Sequence, residues 1–210
     1  MIDNYTKLKN GLIKQEKIFT SKRHYDVNYI NNSYNNYGEK TMQMSFLRLG
    51  YIIGSIGRIP NNILDIGFGN GEFLKTSSKI IDKCYGNDVS NYPIPENAIF
   101  VDNIYTDTYD VVTFFDVLEH FEDIYEIKNL KCNFIVISVP WCHNFSDEWF
   151  LKWKHRRPDE HLWHFDEKSI IKFFEEIGFE LINKCNIEDS IRKPIDCNPN
   201  ILTCTFRKKQ

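Results

Sequence analysis

Residues 63–74 read ILDIGFGNGEFL. Ile63, Leu64 and Ile66 form a short apolar run of strand character that Asp65 interrupts. Gly67, Gly69 and Gly71 then alternate with other residues, and an amphipathic stretch opens at Glu72. Strand, acidic residue, three alternate glycines and helix is the order found where open α/β sheets bind ligands, at the carboxyl ends of their strands. Glycine permits the tight turn and lets backbone amides approach a ligand with no Cβ in the way. This single stretch therefore predicts an α/β protein with a small-molecule cleft at its first long strand.

Charge narrows the ligand. A dinucleotide loop sets pyrophosphate on the helix N-terminus and needs a small residue at its third fingerprint position. Counted from Gly67 that position is Glu72, and counted from Gly69 it is Leu74. A glutamate in the first helical turn repels a pyrophosphate and already complements the helix dipole. The loop thus favours a nucleoside without phosphates, such as S-adenosylmethionine, whose cationic methionine end suits the Asp65 carboxylate. Asp88 lies 21 residues beyond Gly67, at the end of the next strand-like run, KCYGNDVS. An acidic side chain there accepts hydrogen bonds from both ribose hydroxyls. Asp102 ends the following run, AIFVD, in a position suited to the exocyclic amine of adenine, with Asn103 beside it.

Outward from this core, apolar and β-branched runs alternate with amphipathic stretches, the pattern of βα units around a parallel sheet. Strands are expected near 62–66, 83–88, 98–102, 110–115 and 133–139, with helices at 71–81 and 117–130. Residues 39–57 carry apolar residues at helical spacing and end in glycine. Asp166 reads as the N-cap of a helix over 167–177 that Gly178 stops. Strands at 179–187 and 201–207 follow, as an antiparallel hairpin at the sheet edge. Residues 1–38 are polar and weakly periodic. They are expected to form an N-terminal extension or lid, and residues 39–210 one domain.

The chain has 210 residues, enough for one substantial core. Net charge is −3, from 26 basic against 29 acidic residues. A strong general attraction to nucleic acid is therefore not expected. No apolar run reaches the roughly 20 residues that span a bilayer, and the N-terminus lacks a signal-peptide pattern. The six cysteines are scattered without a C-x-x-C pair, which suits reduced thiols. A cytoplasmic location is expected, and oligomeric state is open.

The segments DIGFGNGEF (65–73), GNDVS (86–90), FVD (100–102), YDVVTFFDVLEHFED (109–123), FIVISVP (134–140) and HLWHFDEKSIIKFFEEIGFEL (161–181) together resemble the class I S-adenosylmethionine-dependent methyltransferase family. The likeness is greatest to its small stand-alone members of the ubiquinone-pathway and sugar O-methyltransferase kind. The resemblance covers about residues 40–207. It implies a Rossmann-like seven-stranded sheet, mostly parallel with an antiparallel C-terminal hairpin strand, and helices on both faces. It implies a cofactor pocket formed by Asp65, Gly67, Phe68, Gly69, Gly71, Asp88, Val89, Asp102 and Asn103, with Phe115 and Asp116 lining it. The [DNS]-P-P-[YFW] motif of DNA amino-methyltransferases is replaced here by FFDV at 114–117, and no proline precedes a cysteine as base C5-methyltransferases require.

Methyl transfer from a sulfonium needs chiefly alignment, but a hydroxyl acceptor also needs to lose its proton. Histidine is the first candidate base. His161, which opens HLWHF, is placed first, then His120 in DVLEHFED and His143 after the fifth strand. For each, a purely structural hydrogen-bonding role stands beside the catalytic one. His161 and His164 with Asp159 and Glu160 offer ligand types, yet H-x-x-H without a further well-spaced partner is weak, and no metal is expected. The stretch WFLKWKHRRPDEH (149–161) reads either as a solvated amphipathic helix or as part of a lid, residues 141–165, that holds a sugar- or phosphate-bearing acceptor. The expected activity is O-methylation of a small or carbohydrate-like molecule. A nucleotide or RNA methyltransferase and a cofactor-binding but inactive partner subunit stand as alternatives.

Overall fold

A computed structural model describes residues 2–20, 26–28, 31, 38–194 and 197–210. Seven strands form one sheet: β3 (Ile63–Ile66), β4 (Cys84–Asn87), β5 (Ile99–Phe100), β6 (Thr108–Phe115), β7 (Lys131–Pro140), β9 (Phe179–Cys185) and β10 (Ile201–Lys208). Their order is β5-β4-β3-β6-β7-β10-β9, and only β10 runs antiparallel, between β7 and β9. This is the expected Rossmann-like architecture.

The period-two alternation of side chains explains the two layers of core. Leu64, Ile66, Val112, Phe114, Ile135 and Ile137 face one side, where Ile170, Phe173 and Phe174 of helix α4 (Glu167–Glu176) pack on them. Ile63, Val111 and Val136 face the other, covered by Leu49 and Ile52 of helix α1 (Gly38–Ile56) and by Phe73 and Leu74 of helix α2 (Glu72–Ser77). Asp65 and Thr113 share that second face. Helix α4 starts as expected: the Asp166 carboxylate accepts from the Ser169 amide in a full capping box, and Gly178 at φ 90° closes its end.

Two expectations give way. The helix over 117–130 is two 3₁₀ segments, Leu118–His120 and Ile124–Asn129. Asp116 adopts φ 58°, which turns the chain as it leaves β6, and Phe121 returns to extended backbone, so no continuous helix propagates. The Asp123 carboxylate then accepts from the Tyr125 amide and starts the second segment afresh. The aperiodic stretch after Pro140 contains a helix, α3 (Asp147–Lys152), started by the Ser146 side chain, and a two-residue strand, β8 (Trp163–His164).

The polar N-terminal extension supplies β1 (Tyr5–Lys7) and β2 (Ile13–Gln15), and β2 pairs with β8 in a separate three-stranded sheet. Asp159 fastens this unit, accepting from the Gln15 side chain and from Phe19 and Thr20 amides. Among the described residues of 1–38, none lines the cleft at the carboxyl ends of the parallel strands. They brace the 155–165 stretch that does.

Candidate active site

The glycine loop takes positive φ at Gly67 (72°), Gly69 (56°) and Gly71 (74°). A Cβ on Gly67 would come within 2.3 Å of a Val117 methyl, so the residue is required both by its backbone and by the turn that follows β6. A Cβ on Gly71 would meet the Pro95 ring at 2.6 Å. Gly71 is thus a turn residue and lines none of the cavities around the loop. Helix α2 is short and begins with Glu72, an acidic end that offers nothing to a phosphate.

Two adjoining cavities open at the carboxyl ends of the parallel strands, of about 400 and 520 Å³, sharing Gly67, Phe115, Asp116, His155 and Arg192. The first holds Gly69, Asn87, Asp88 and Val89 at one end and Glu119, His120, Arg157 and His161 at the other. The second holds Asp65, Phe68 and Arg48. Asp88 accepts from the Gly69 amide at 2.8 Å and the Ser90 amide at 2.7 Å, one to each oxygen, which fixes the carboxylate and leaves each oxygen further acceptor capacity. Asp65 is buried, and desolvation pushes its carboxyl up to about 7 although the Thr113 hydroxyl donates to it at 2.6 Å. The glycine-lined wall that carries Asp65 and Asp88 suits a cationic nucleoside. Asp102 and Asn103 sit on the loop after β5, outside the cavity lining. The Asn87 side chain, inside it, donates to the Val101 carbonyl and ties that loop to β4.

The three candidate histidines separate. His143 lines a different cavity of about 440 Å³ with Trp149, Lys152 and Trp153, its Nε2 donating to the Pro199 carbonyl, 2.7 Å away. The aromatic and basic stretch thus divides: its first half faces away from the glycine loop, and its second half, from His155 to His161, walls the cleft. His120 and His161 meet edge to face, ring centroids 4.7 Å apart. They meet because the Leu162 amide donates to the Glu119 carbonyl, lacing the two segments together. Burial drives the imidazoles of both below the usual range, His161 to about 2. Burial and nearby Asp116 push the Glu119 carboxyl well above its ordinary value.

His155 and Arg157, in the stretch read as part of an acceptor-holding lid, reach the cleft, and Glu119, which was not singled out from sequence, reaches it too. So does a buried ionic network: Arg48 Nε and Nη2 donate to Glu188 at 2.7 and 3.1 Å, Arg48 Nη2 donates to Asp116 at 3.2 Å, and Arg192 Nη1 donates to Asp116 at 2.7 Å and Glu188 at 3.1 Å. Burial would raise the Asp116 carboxyl, but Arg192 and Arg48 overcome it and hold it at about 2. The only sequence signals were a lone arginine within the apolar run FLRLGYII and an acid within DVLEHF.

With that geometry established, a family model described as a methyltransferase domain matches residues 34–184. The fold also matches solved structures at low identity. The plantazolicin methyltransferase BpumL with S-adenosylhomocysteine is 16% identical, at a TM-score of 0.58 over 87% of this chain and 90% of that one. Magnesium protoporphyrin IX methyltransferase ChlM from Synechocystis PCC 6803, also with S-adenosylhomocysteine, is 16% identical, at a TM-score of 0.54 over 83% and 88%. The 1,6-didemethyltoxoflavin-N1-methyltransferase of Burkholderia thailandensis is 14% identical, at a TM-score of 0.57 over 99% and 100%. No curated protein matches. Among the described residues no helix is long and apolar enough to cross a membrane.

The ionic network makes a direct prediction. Glu188 is fully buried, and Glu188→Gln leaves Arg48 and Arg192 sharing one carboxylate. Breaking a buried pair costs about 3–5 kcal/mol. Urea unfolding should show a loss of that size, and a loss below about 1 kcal/mol would mean that the network does not hold the site.

Proposed function

The chain belongs to the methyltransferase-domain family, and from that membership we propose that it moves the methyl group of S-adenosylmethionine to an oxygen of a small, carbohydrate-like acceptor. When bound, the cofactor supplies an electrophilic methyl on a sulfonium. The observation that carries the reading is the polarity of the cleft: glycine loop and Asp88 at one end, Glu119, His120, His161 and Arg157 at the other, with Phe115 and Asp116 between.

In this reading Asp88 binds the ribose hydroxyls, Asp65 faces the cationic methionine end, and the backbone of Gly67, Phe68 and Gly69 lines the cofactor. The adenine end lies toward Val89, with Asp102 and Asn103 on the neighbouring loop. The acceptor occupies the histidine end, where several polar groups converge as a hydroxyl-rich molecule requires. His161 is the expected base. Burial opposes its taking a proton alone, so Glu119, His120 and His161 act on the acceptor oxygen as a unit. A cavity of about 400 Å³ ending in such groups is what an inactive partner subunit has no use for.

Calorimetry should show S-adenosylmethionine binding and no NAD binding. Asp88→Ala should weaken the cofactor by on the order of 10-fold or more, the loss of at least one charge-assisted hydrogen bond. Asp65 adds a pH dependence. The free protein holds this carboxyl protonated below about 7, whereas a cationic partner favours the ionised form. Affinity should therefore fall as pH drops below about 7, by up to roughly tenfold per unit, and Asp65→Asn should flatten the profile. A wild-type profile already flat from pH 5 to 8 would separate Asp65 from the cofactor.

Screening sugar and other hydroxyl acceptors by S-adenosylhomocysteine release tests the reaction itself. Glu119→Gln and His161→Ala should each lower kcat by on the order of 10²–10⁴ with cofactor affinity little changed, because activation of the acceptor belongs to the transition state. Near-normal kcat in both would move acceptor activation elsewhere or point to an amine acceptor.

A further inference from the structure

Glu119 is 1% exposed, and neither of its carboxylate oxygens has a hydrogen-bond partner. Leaving such a group bare costs a large desolvation penalty. Its neighbours in the cleft do not relieve it. His120 Nδ1 lies 2.8 Å from the Glu160 carbonyl, and His161 Nδ1 lies 2.8 Å from the His155 carbonyl. A carbonyl only accepts, so each Nδ1 carries the ring proton and each neutral ring has its lone pair on Nε2. One ligating atom from each of Glu119, His120 and His161 lies within 4.8 Å of the other two. Two imidazoles and a carboxyl thus converge at the end of a cleft.

From this we infer that Glu119, His120 and His161 form a binding site for a divalent first-row transition-metal ion, open toward the cleft. Nitrogen and oxygen donors of this kind suit zinc, cobalt, iron or manganese. The outer shell is already in place, because metal-bound histidines donate their other N–H to a carbonyl or carboxylate, which both rings do here. Ligand atoms around a tetrahedral ion lie about 3.4 Å apart, so the trio contracts by on the order of 1 Å on loading, within reach of the Glu119 rotamers. Three protein ligands would leave at least one position for an acceptor oxygen, and with an ion bound His161 would hold it, the ion's charge replacing a histidine base in easing the acceptor's loss of its proton.

The inference rests on the assignment of this end of the cleft to the acceptor, but its test does not. Full-length protein stripped with a chelator is titrated with Co²⁺ and followed by visible absorption and calorimetry. The expected result is a single ion per chain with a band of imidazole-ligated cobalt. Glu119→Gln and His161→Gln, with melting curves to show that each folds, should weaken binding by at least the 10–100-fold that even outer-shell changes cause. Either variant suffices if the other fails to fold. No binding by the stripped wild type, or affinity unmoved in the folded variants, overturns the site. Cobalt binding without methyl transfer to any acceptor would leave the site standing and remove the proposed function. Methyl transfer by a protein that binds no cobalt and is indifferent to chelator would do the reverse.

Discussion

Four charges on three segments distant in sequence govern the shape of the cleft. Asp116 leaves β6 with φ 58°, a conformation that costs a non-glycine residue on the order of 1–3 kcal/mol. Arg192 and Arg48 grip its carboxylate, and Glu188, wholly buried, balances their charge. The Arg48 guanidinium also lies 4.2 Å from the Phe115 ring centroid. The buried Glu188 is tolerable only with the two arginines beside it, since alone it would carry an uncompensated desolvation cost. Helix α1, the exit of β6 and the segment before β10 are therefore bound to one another at the point where the cleft begins.

That constraint shapes the chain beyond β6. Because Asp116 turns sharply, Val117 is thrown against Gly67, and residues 118–120 form a 3₁₀ turn in place of a helix. The turn sets the Glu119 carbonyl toward the Leu162 amide, and the 155–165 stretch docks along it. The N-terminal strands and Asp159 then brace the same stretch from its other side. The acceptor end of the cleft is thus assembled from pieces separated by about forty residues, and its geometry derives from one left-handed aspartate.

The parts legible in the sequence are those fixed by local rules. The buried run, the alternate glycines and Glu72 announced a parallel sheet and a phosphate-free loop, and the Asp166 cap and Gly178 stop delimited α4, because periodicity and capping act within a few residues. Residues 117–130 misled because their apolar spacing is also compatible with a helix, which the turn at Asp116, the extended Phe121 and the fresh start at Asp123 break up. Arg48 shows only as a lone arginine in an apolar run and Glu188 with Arg192 only as an i,i+4 pair, and that the two meet across 140 residues leaves no pattern along the chain. The histidines were visible as types, but whether each faces cleft or scaffold depended on how residues 141–165 divide between two cavities.

Desolvation runs through both ends of the cleft with opposite uses. At the glycine loop it makes the Asp65 carboxyl reluctant to ionise, so a cation arriving beside it gains from restoring the charge. At the far end it leaves Glu119 without a partner and two imidazoles neutral. A core selected for stability alone would fill such a place with an apolar residue, because a buried group without a hydrogen bond is a net loss. Proteins keep strained or unsatisfied groups where a ligand completes them. The unsatisfied carboxyl is therefore the strongest sign that the far end of the cleft is built to receive something, either a cation that draws off its proton or a polar group that hydrogen-bonds to it.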